Sequence, residues 1–392
     1  MGSDELLSEP DFTSAADSLL PTSGAADESL ASALMLSLVP GVGPRLTMAL
    51  LEHFGSPAAV LAAPMSELRR VSGVGTKLSQ VISLAREQID VAAELELCRK
   101  NAITILAQGN DAYPRVLREI HDPPAVLFMQ GNLLPQDGLA VAIVGARHAT
   151  QYGLAQAERL AGSLARAGLT IVSGLARGTD AAAHRGALAA GGRTVAVLGS
   201  GLLSIYPPEH AGLAAEVAAQ GAMLSEAPPR AQPMSGAFPQ RNRLISGLSL
   251  GVIVVEASNQ SGALITARHA MEQGREVFAV PGRVDSRMSH GCHRLIRDGA
   301  KLVETADDVL EELGPLVEAT VRSDGQKVHH PAELLLNELE QQVLAAVSAE
   351  PTTIDRVLAT SNLSTPQVLS TLSVLEMRRL VKRLGGNLVM RV

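Results

Sequence analysis

Between residues 140 and 313, short apolar runs alternate with helical stretches, and almost every run ends in a polar loop rich in glycine. This alternation constrains the fold more than any other feature of the chain. Strands are expected at 141–144, 169–172, 194–198, 222–224, 251–256 and 276–280, with a last short one at 301–303. Helices are expected at 153–167, 179–190, 210–219, 263–273 and 307–313. The runs are apolar on both faces, so helices must cover each side of the sheet they form. The expected fold class is therefore α/β, a doubly wound, Rossmann-like parallel sheet spanning residues 140–313.

In such a sheet ligands bind outside the carboxyl ends of the strands. Six polar clusters fall there. They are Gly145-Ala146-Arg147, Ser173-Gly174 with Arg177-Gly178, Gly199-Ser200-Gly201, Arg241-Asn242-Arg243, Ser261-Gly262 with Thr266, and Pro281-Gly282-Arg283. Glycine lets a ligand approach the backbone, hydroxyls and free N–H groups satisfy phosphate oxygens, and arginine supplies charge. Six such loops on one edge predict a phosphate-binding rim. The arginine cluster, within Phe238–Arg243, is expected to precede a helix. Direct phosphate contact is expected from Arg147, Arg177, Arg241 and Arg243, supported by Gly145, Ser173, Gly174, Gly178, Ser200, Asn242, Ser261, Gly262 and Thr266. Arg243 and Arg147 have a competing structural use, pairing with Glu226 or Glu256 inside the fold.

Missing motifs narrow the chemistry. There is no Walker-type Gly-x-x-x-x-Gly-Lys-Ser/Thr loop, no complete dinucleotide fingerprint at Gly199-Ser200-Gly201, no His-Glu-x-x-His and no Gly-x-Ser-x-Gly elbow. His290 and His293 flank Cys292 in no common metal spacing, so a loop-filling role is expected. Asp180 and His184 lie one helical turn apart and suit local hydrogen bonding, and Glu256 suits orienting nearby arginine or amide groups. No catalytic residue, metal or cofactor is expected.

The formal charge of −7 misleads about partners. The first 30 residues hold seven acids and no Lys or Arg, and read as an acidic flexible tail. Residues 140–305 hold 16 basic and 11 acidic residues, and 15 of the 16 are arginine. Arginine favours forked contact with phosphate. With three Tyr, five Phe and no Trp, a surface built wholly on aromatic stacking has little material. No apolar run reaches the ~18 residues of a membrane span, the start is acidic, and Cys98 and Cys292 stand alone, which predicts a cytoplasmic protein with reduced thiols.

Residues 31–139 read as a helical module and connector. Gly41-Val42-Gly43 and Gly73-Val74-Gly75 repeat 32 residues apart, each opening a helix with a basic residue in its first turn. The pair resembles a helix-hairpin-helix, or SAM-like, unit. Tight packing and DNA contact are both open for it. Residues 314–330 read as a linker. Residues 331–392 read as three helices and a hairpin around Gly385-Gly386-Asn387, a winged helix. Its third helix has no Lys or Arg before Arg378, so protein contact and duplex readout are both open.

The loop motifs as a set resemble the DprA family, DNA-processing proteins of bacterial natural transformation. The matching stretches include Ala142–Arg147 with Tyr152-Gly153, Ser173–Asp180 with Ala183-His184, and Val195–Gly201 with Tyr206-Pro207. They continue with Leu224–Glu226, Phe238–Arg243 with Ser246–Ser249, Val255–Ala257, Ser261–Ala267 and Phe278–Gly282. Ala146 and Thr179 stand where Ser and Ile are usual. The resemblance implies a non-enzymatic homodimer that binds single-stranded DNA and loads the RecA recombinase onto strands covered by single-strand-binding protein, with weaker duplex binding open. Leu295, Ile296 and Leu302 are candidates for the self-contact, or for packing in their own core. Two other functions stay open. One is a nucleotide-processing, phosphoribohydrolase-like enzyme, although Pro281-Gly282 leads to Arg283 and not to that group's Gly-rich loop. The other is a protein-bridging scaffold.

Overall fold

Nine strands make one sheet in this computed structural model, in the order β1-β2-β6-β5-β4-β3-β7-β8-β9. The strands are β1 (Thr104–Ala107), β2 (Val126–Gly131), β3 (Ala140–Val144), β4 (Thr170–Ser173) and β5 (Thr194–Leu198). They continue with β6 (Ala222–Ser225), β7 (Gly251–Val254), β8 (Glu276–Ala279) and β9 (Lys301–Leu302). The structure describes residues 24–314, 320–321, 327–328, 336, 338–348, 350–377, 380–384 and 387–391. Residues 1–23 of the expected acidic tail, most of the linker, Arg378 and the Gly385-Gly386 turn lie outside the described residues, whereas residues 24–30, expected to be flexible tail, open the helix Gly24–Leu38.

From β6 to β9 every pairing is parallel. The chain reverses its direction of winding between β3 and β7, which pair directly. Such a switch point opens a crevice at the strand ends. Alternate residues feed two cores. Ala140, Ala142 and Val144 face one side, with Val252 and Val254. Val141 and Ile143 face the other, with Leu160, Leu164 and Ile253.

The sheet extends beyond the expected domain. β1 and β2 pair antiparallel with each other, and β2 with β6, although residues 31–139 read as a helical module and connector. Strand β2 is wholly buried along Val126–Met129 and contributes Leu127 and Met129 to the core shared with β3.

The chain falls into two compact units, the first ending at Ala93 and the second beginning at Glu94. In the first, helices Pro44–Phe54 and Thr76–Ser83 each start at the second glycine of a repeat, with Gly43 and Gly75 as extended N-caps. Gly41 and Gly73 have φ of +89° and +90°, which explains why the repeat needs glycine there. In the second, beyond the large sheet, helices Glu338–Ala345, Ile354–Ser361 and Thr365–Met377 pack with a three-stranded sheet. In that sheet Leu388–Arg391 pairs antiparallel with both Val381–Leu384 and Thr352–Thr353. This is the expected winged helix.

Candidate nucleic-acid interface

A cleft of about 720 Å³ lies at the switch point. Gly145, Arg147, Arg241, Asn242, Ser261, Gly262 and Thr266 line it, all seven expected from the sequence. So do Ala146, Asp180, Tyr206, Phe238 and Met288. The volume is that of an ordinary ligand pocket. Helix Ala263–Glu272 starts beside the cleft at Gly262, but its first amides are already given: Ala263 N–H to Ser261 Oγ (3.3 Å), Leu264 N–H to the Ser261 carbonyl (3.1 Å) and Ile265 N–H to the Gly262 carbonyl (3.0 Å).

The loops are locked to one another. Gly178 has φ of +75°, and a Cβ there would collide with the carbonyls of Ala146 and Arg147. Only glycine lets the loop after β4 come this close to the loop after β3. Thr179 then donates through both its N–H (3.2 Å) and its Oγ1 (3.3 Å) to the Ala146 carbonyl. Asp180 accepts from the N–H groups of Gly174 and Ala176, at 3.2 and 3.3 Å. Glu256, just past β7, accepts from the N–H (2.8 Å) and Oγ1 (2.7 Å) of Thr150, which caps helix Gln151–Arg166. Asp180, which lines the cleft, and Glu256 are thus both occupied in holding the loops. Glu256 orients an amide, one of the two roles expected for it.

The arginines divide by environment. Arg147 is exposed, with its guanidinium over the face of Phe238, 5.3 Å from the ring centroid, and it makes no ion pair or side-chain hydrogen bond among the described residues. Arg241 forms the cleft floor, only 7% exposed, and donates to the carbonyls of Gly174 (2.7 Å) and Val197. Burial pulls its pKa down to about 10, against the attraction of Asp180, so it is a cation at neutral pH. Arg177 lies outside the cleft lining, paired with Glu209 and over the ring of Tyr206.

Arg243 departs from the expected phosphate role. It is buried and pairs with Glu226 at 2.8 Å and Asp122 at 3.1 Å, so its guanidinium ties β2's approach loop to the helix. The competing structural use holds for it, with Asp122 as a second partner. Ser173 and Ser200 depart as well. Ser173 Oγ donates to the Ile143 carbonyl at 2.6 Å and Ser200 Oγ to the Ser204 carbonyl at 2.7 Å, and both residues are buried. The Gly174 amide is already given to Asp180. The Phe238–Arg243 motif does not precede a helix but lies inside one, Ala237–Gly247. On that helix Arg241 and Arg243 are both buried, Asn242 half-buried.

Sequence reasoning missed the aromatic pair. Tyr206 and Phe238 stand 5.6 Å apart at the cleft, each under an arginine. The signal was that two of only eight aromatic residues, Tyr206 and Phe238, fall beside polar clusters expected at the strand ends.

His184 lies behind the floor, fully buried, with Nδ1 2.7 Å from Thr194 Oγ1. Since that hydroxyl donates to the Ile171 carbonyl, it accepts from His184, leaving Nε2 as a lone pair without a partner. Burial, with His210 and Arg241 adding repulsion, pulls the imidazole pKa down to about 3. The unfolded chain takes up this proton below about pH 6.5 and the folded one does not. Stability is therefore expected to fall by up to about 1.4 kcal/mol per pH unit from this group between pH 6.5 and 3. Urea midpoints at pH 7 and 5 check this, and His184→Asn should flatten the difference.

His293 Nε2 sits 3.0 Å from the Gly282 carbonyl and packs on that loop as expected, whereas Cys292 lies on helix His290–Arg297 in the sheet core, against the carbonyls of Val254 and Val255, and His290 is exposed. No cluster of metal-ligating side chains occurs among the described residues. Leu295 is buried in the sheet core and offers no surface for self-contact; Ile296 packs partly against that core, and Leu302 is 42% exposed on the edge strand β9. No helix among the described residues is long and apolar enough to cross a membrane.

A family model described as DNA recombination-mediator protein A matches residues 104–314, which takes in β1 and β2. A DprA winged helix domain matches 328–387, and a SAM-like helix-hairpin-helix tandem matches 33–86. Protein Smf of Synechocystis is 37% identical over 384 residues, covering 90% of this chain and 96% of its own. The DNA processing protein DprA of Bacillus subtilis is 45% identical over 216 residues, 55% of this chain and 73% of its own. Among solved structures, the X-ray structure of DNA processing protein A from Streptococcus pneumoniae superposes with a TM-score of 0.65 at 38% identity, covering 72% of this chain and 97% of that one. The chain belongs to the DNA recombination-mediator protein A family, the DprA/Smf proteins.

Proposed function

We propose that this chain binds single-stranded DNA in the switch-point cleft and passes it to the RecA recombinase, displacing single-strand-binding protein, without catalysing a reaction. The observation that carries the reading is the pairing of an unneutralised arginine, Arg147, with an aromatic face, Phe238, above a buried cationic floor, Arg241. Arginine suits phosphates. Tyr206 and Phe238 suit a base that has left a stack, which a single strand supplies and a closed duplex does not. A binding role fits the engagement of Asp180 and Glu256 with backbone, since neither carboxylate is left as a general base. The recombination-mediator description of the family supports the RecA step. A homodimer through Ile296 and Leu302 is part of the same proposal, resting on the exposure of Leu302 at a sheet edge.

A salt titration tests the reading. Single-strand affinity of the full chain should fall with salt, with a log–log slope of about −0.7 per phosphate contacted. Duplex of the same length should bind more weakly at every salt concentration. Duplex binding equal to or tighter than single-strand binding would remove the role given to the aromatic pair.

A further inference from the structure

A row of contacts leads out of the cleft. Arg147 lies over Phe238, the Phe238 and Tyr206 rings stand 5.6 Å apart, and the Arg177 guanidinium lies 5.9 Å from the Tyr206 centroid. Each ring carries its own cation, but the two cations differ. Arg147 makes no ion pair among the described residues, whereas Arg177 Nε donates to Glu209 Oε1 at 2.5 Å. That pair is open to solvent, with the two side chains 45% and 51% exposed. Its position is fixed from below. Arg177 stands in the loop after β4, and Glu209 in the turn Pro208–His210, whose buried His210 donates through Nδ1 to the Leu175 carbonyl at 2.9 Å. This bond ties the turn to the loop and sets the acid opposite the cation. The hydrogen bond from Arg177 holds the Glu209 carboxyl below its usual pKa, so it is an anion at neutral pH.

We propose that Glu209 occupies the place of a strand phosphate on Arg177 in the free protein, and that a single strand lying in the cleft displaces it. Glu209 thereby limits the affinity for the strand. This rests on the reading that the cleft holds a strand. A carboxylate and a phosphate offer a guanidinium the same kind of charged acceptor. An exposed pair is weak and screened by salt, so it yields to a competitor. A strand already anchored at Arg147 and stacked on the rings presents its next phosphates at an effective concentration on the order of millimolar. What the strand gains at Arg177 is offset by the lost pair with Glu209, and the displaced carboxylate repels the backbone beside it. Arg177 is thus a phosphate contact whose contribution stays masked until Glu209 is neutralised.

The test measures binding of an oligothymidylate of about twenty nucleotides to the full chain over a series of salt concentrations. Four forms are compared: the unaltered chain, Glu209→Gln, Arg177→Ala and the double variant. Both side chains are exposed, so melting temperatures should stay within about 1–2 °C. Glu209→Gln should bind about threefold to tenfold more tightly, with a salt slope steeper by about 0.7, that of one added phosphate. Arg177→Ala should cost about threefold or less in the unaltered chain and about tenfold in the Glu209→Gln background. The double variant should therefore bind as Arg177→Ala does. An affinity and slope unchanged by Glu209→Gln would overturn the proposal. A gain kept in full by the double variant would also overturn it, since the acid would then act by general repulsion and not through Arg177. Failure of the cleft reading looks different: Arg147→Ala would leave binding unchanged, whereas failure of this proposal alone leaves the loss from Arg147→Ala in place and removes the gain from Glu209→Gln.

Discussion

Replacing Arg241 with alanine is expected to lower the stability of the unit that holds the large sheet by about 3–5 kcal/mol, the usual cost of breaking a buried ionic arrangement from one side. The guanidinium is buried, bonds the carbonyls of Gly174 and Val197, and is the cation nearest the buried carboxylate of Asp180. Its removal leaves two buried carbonyls without their donor and takes away the attraction that opposes the upward push of burial on the Asp180 carboxyl. For a unit of this size the loss corresponds to a melting temperature lower by roughly 6–20 °C. Calorimetry checks the single variant, and a cycle checks the cause. Arg241→Met combined with Asp180→Asn should recover part of the loss, because an apolar side chain and a neutral amide leave no buried charge unpaired. A double variant as unstable as the sum of the singles would mean the two groups are energetically independent.

Arg147→Ala should act on binding and spare stability. The side chain is exposed, lies over the Phe238 ring and makes no ion pair or side-chain hydrogen bond among the described residues, so the melting temperature should stay within about 1–2 °C. A hydrogen bond to a charged phosphate contributes about 1.5–3 kcal/mol, which sets the expected loss of single-strand affinity at about tenfold to a hundredfold. Arg177→Ala supplies the comparison. That guanidinium is already given to Glu209, and breaking an exposed pair changes little, so its loss should be about threefold or less. Equal effects of the two substitutions on affinity would contradict the assignment of Arg147 as the free cation of the cleft.

Much of this was legible in the sequence. A parallel strand buried on both faces has almost no freedom in residue type, so β5 and the helices that open at Thr179 and Ala263 begin where the apolar pattern puts them. The rule that loops at the carboxyl ends gather at a switch point placed seven of the expected contact residues around one cleft. What escaped reading has a common physical cause. A serine at the end of a strand looks alike whether its hydroxyl faces a ligand or a neighbouring carbonyl, and Ser173 spends its hydroxyl on Ile143. Arginines two apart in Arg241-Asn242-Arg243 look like one basic patch, yet Arg241 is spent on the carbonyls of Gly174 and Val197 and Arg243 on the half-buried carboxylates of Asp122 and Glu226. Those partners lie far off in sequence. The antiparallel strands β1 and β2 escaped because their pairing partner, β6, comes more than 90 residues after β2 begins.

Cross-linking of a bound strand tests the central claim most directly. Single-stranded oligonucleotides carrying 5-iodouracil, irradiated in complex with the full chain, join to aromatic side chains that stack on the base, and peptide mass spectrometry locates the adduct. The account predicts adducts at Phe238 or Tyr206, reduced in the Arg147→Ala variant. Adducts confined to residues before Ala93 or after Leu336, with none in the switch-point cleft, would contradict it.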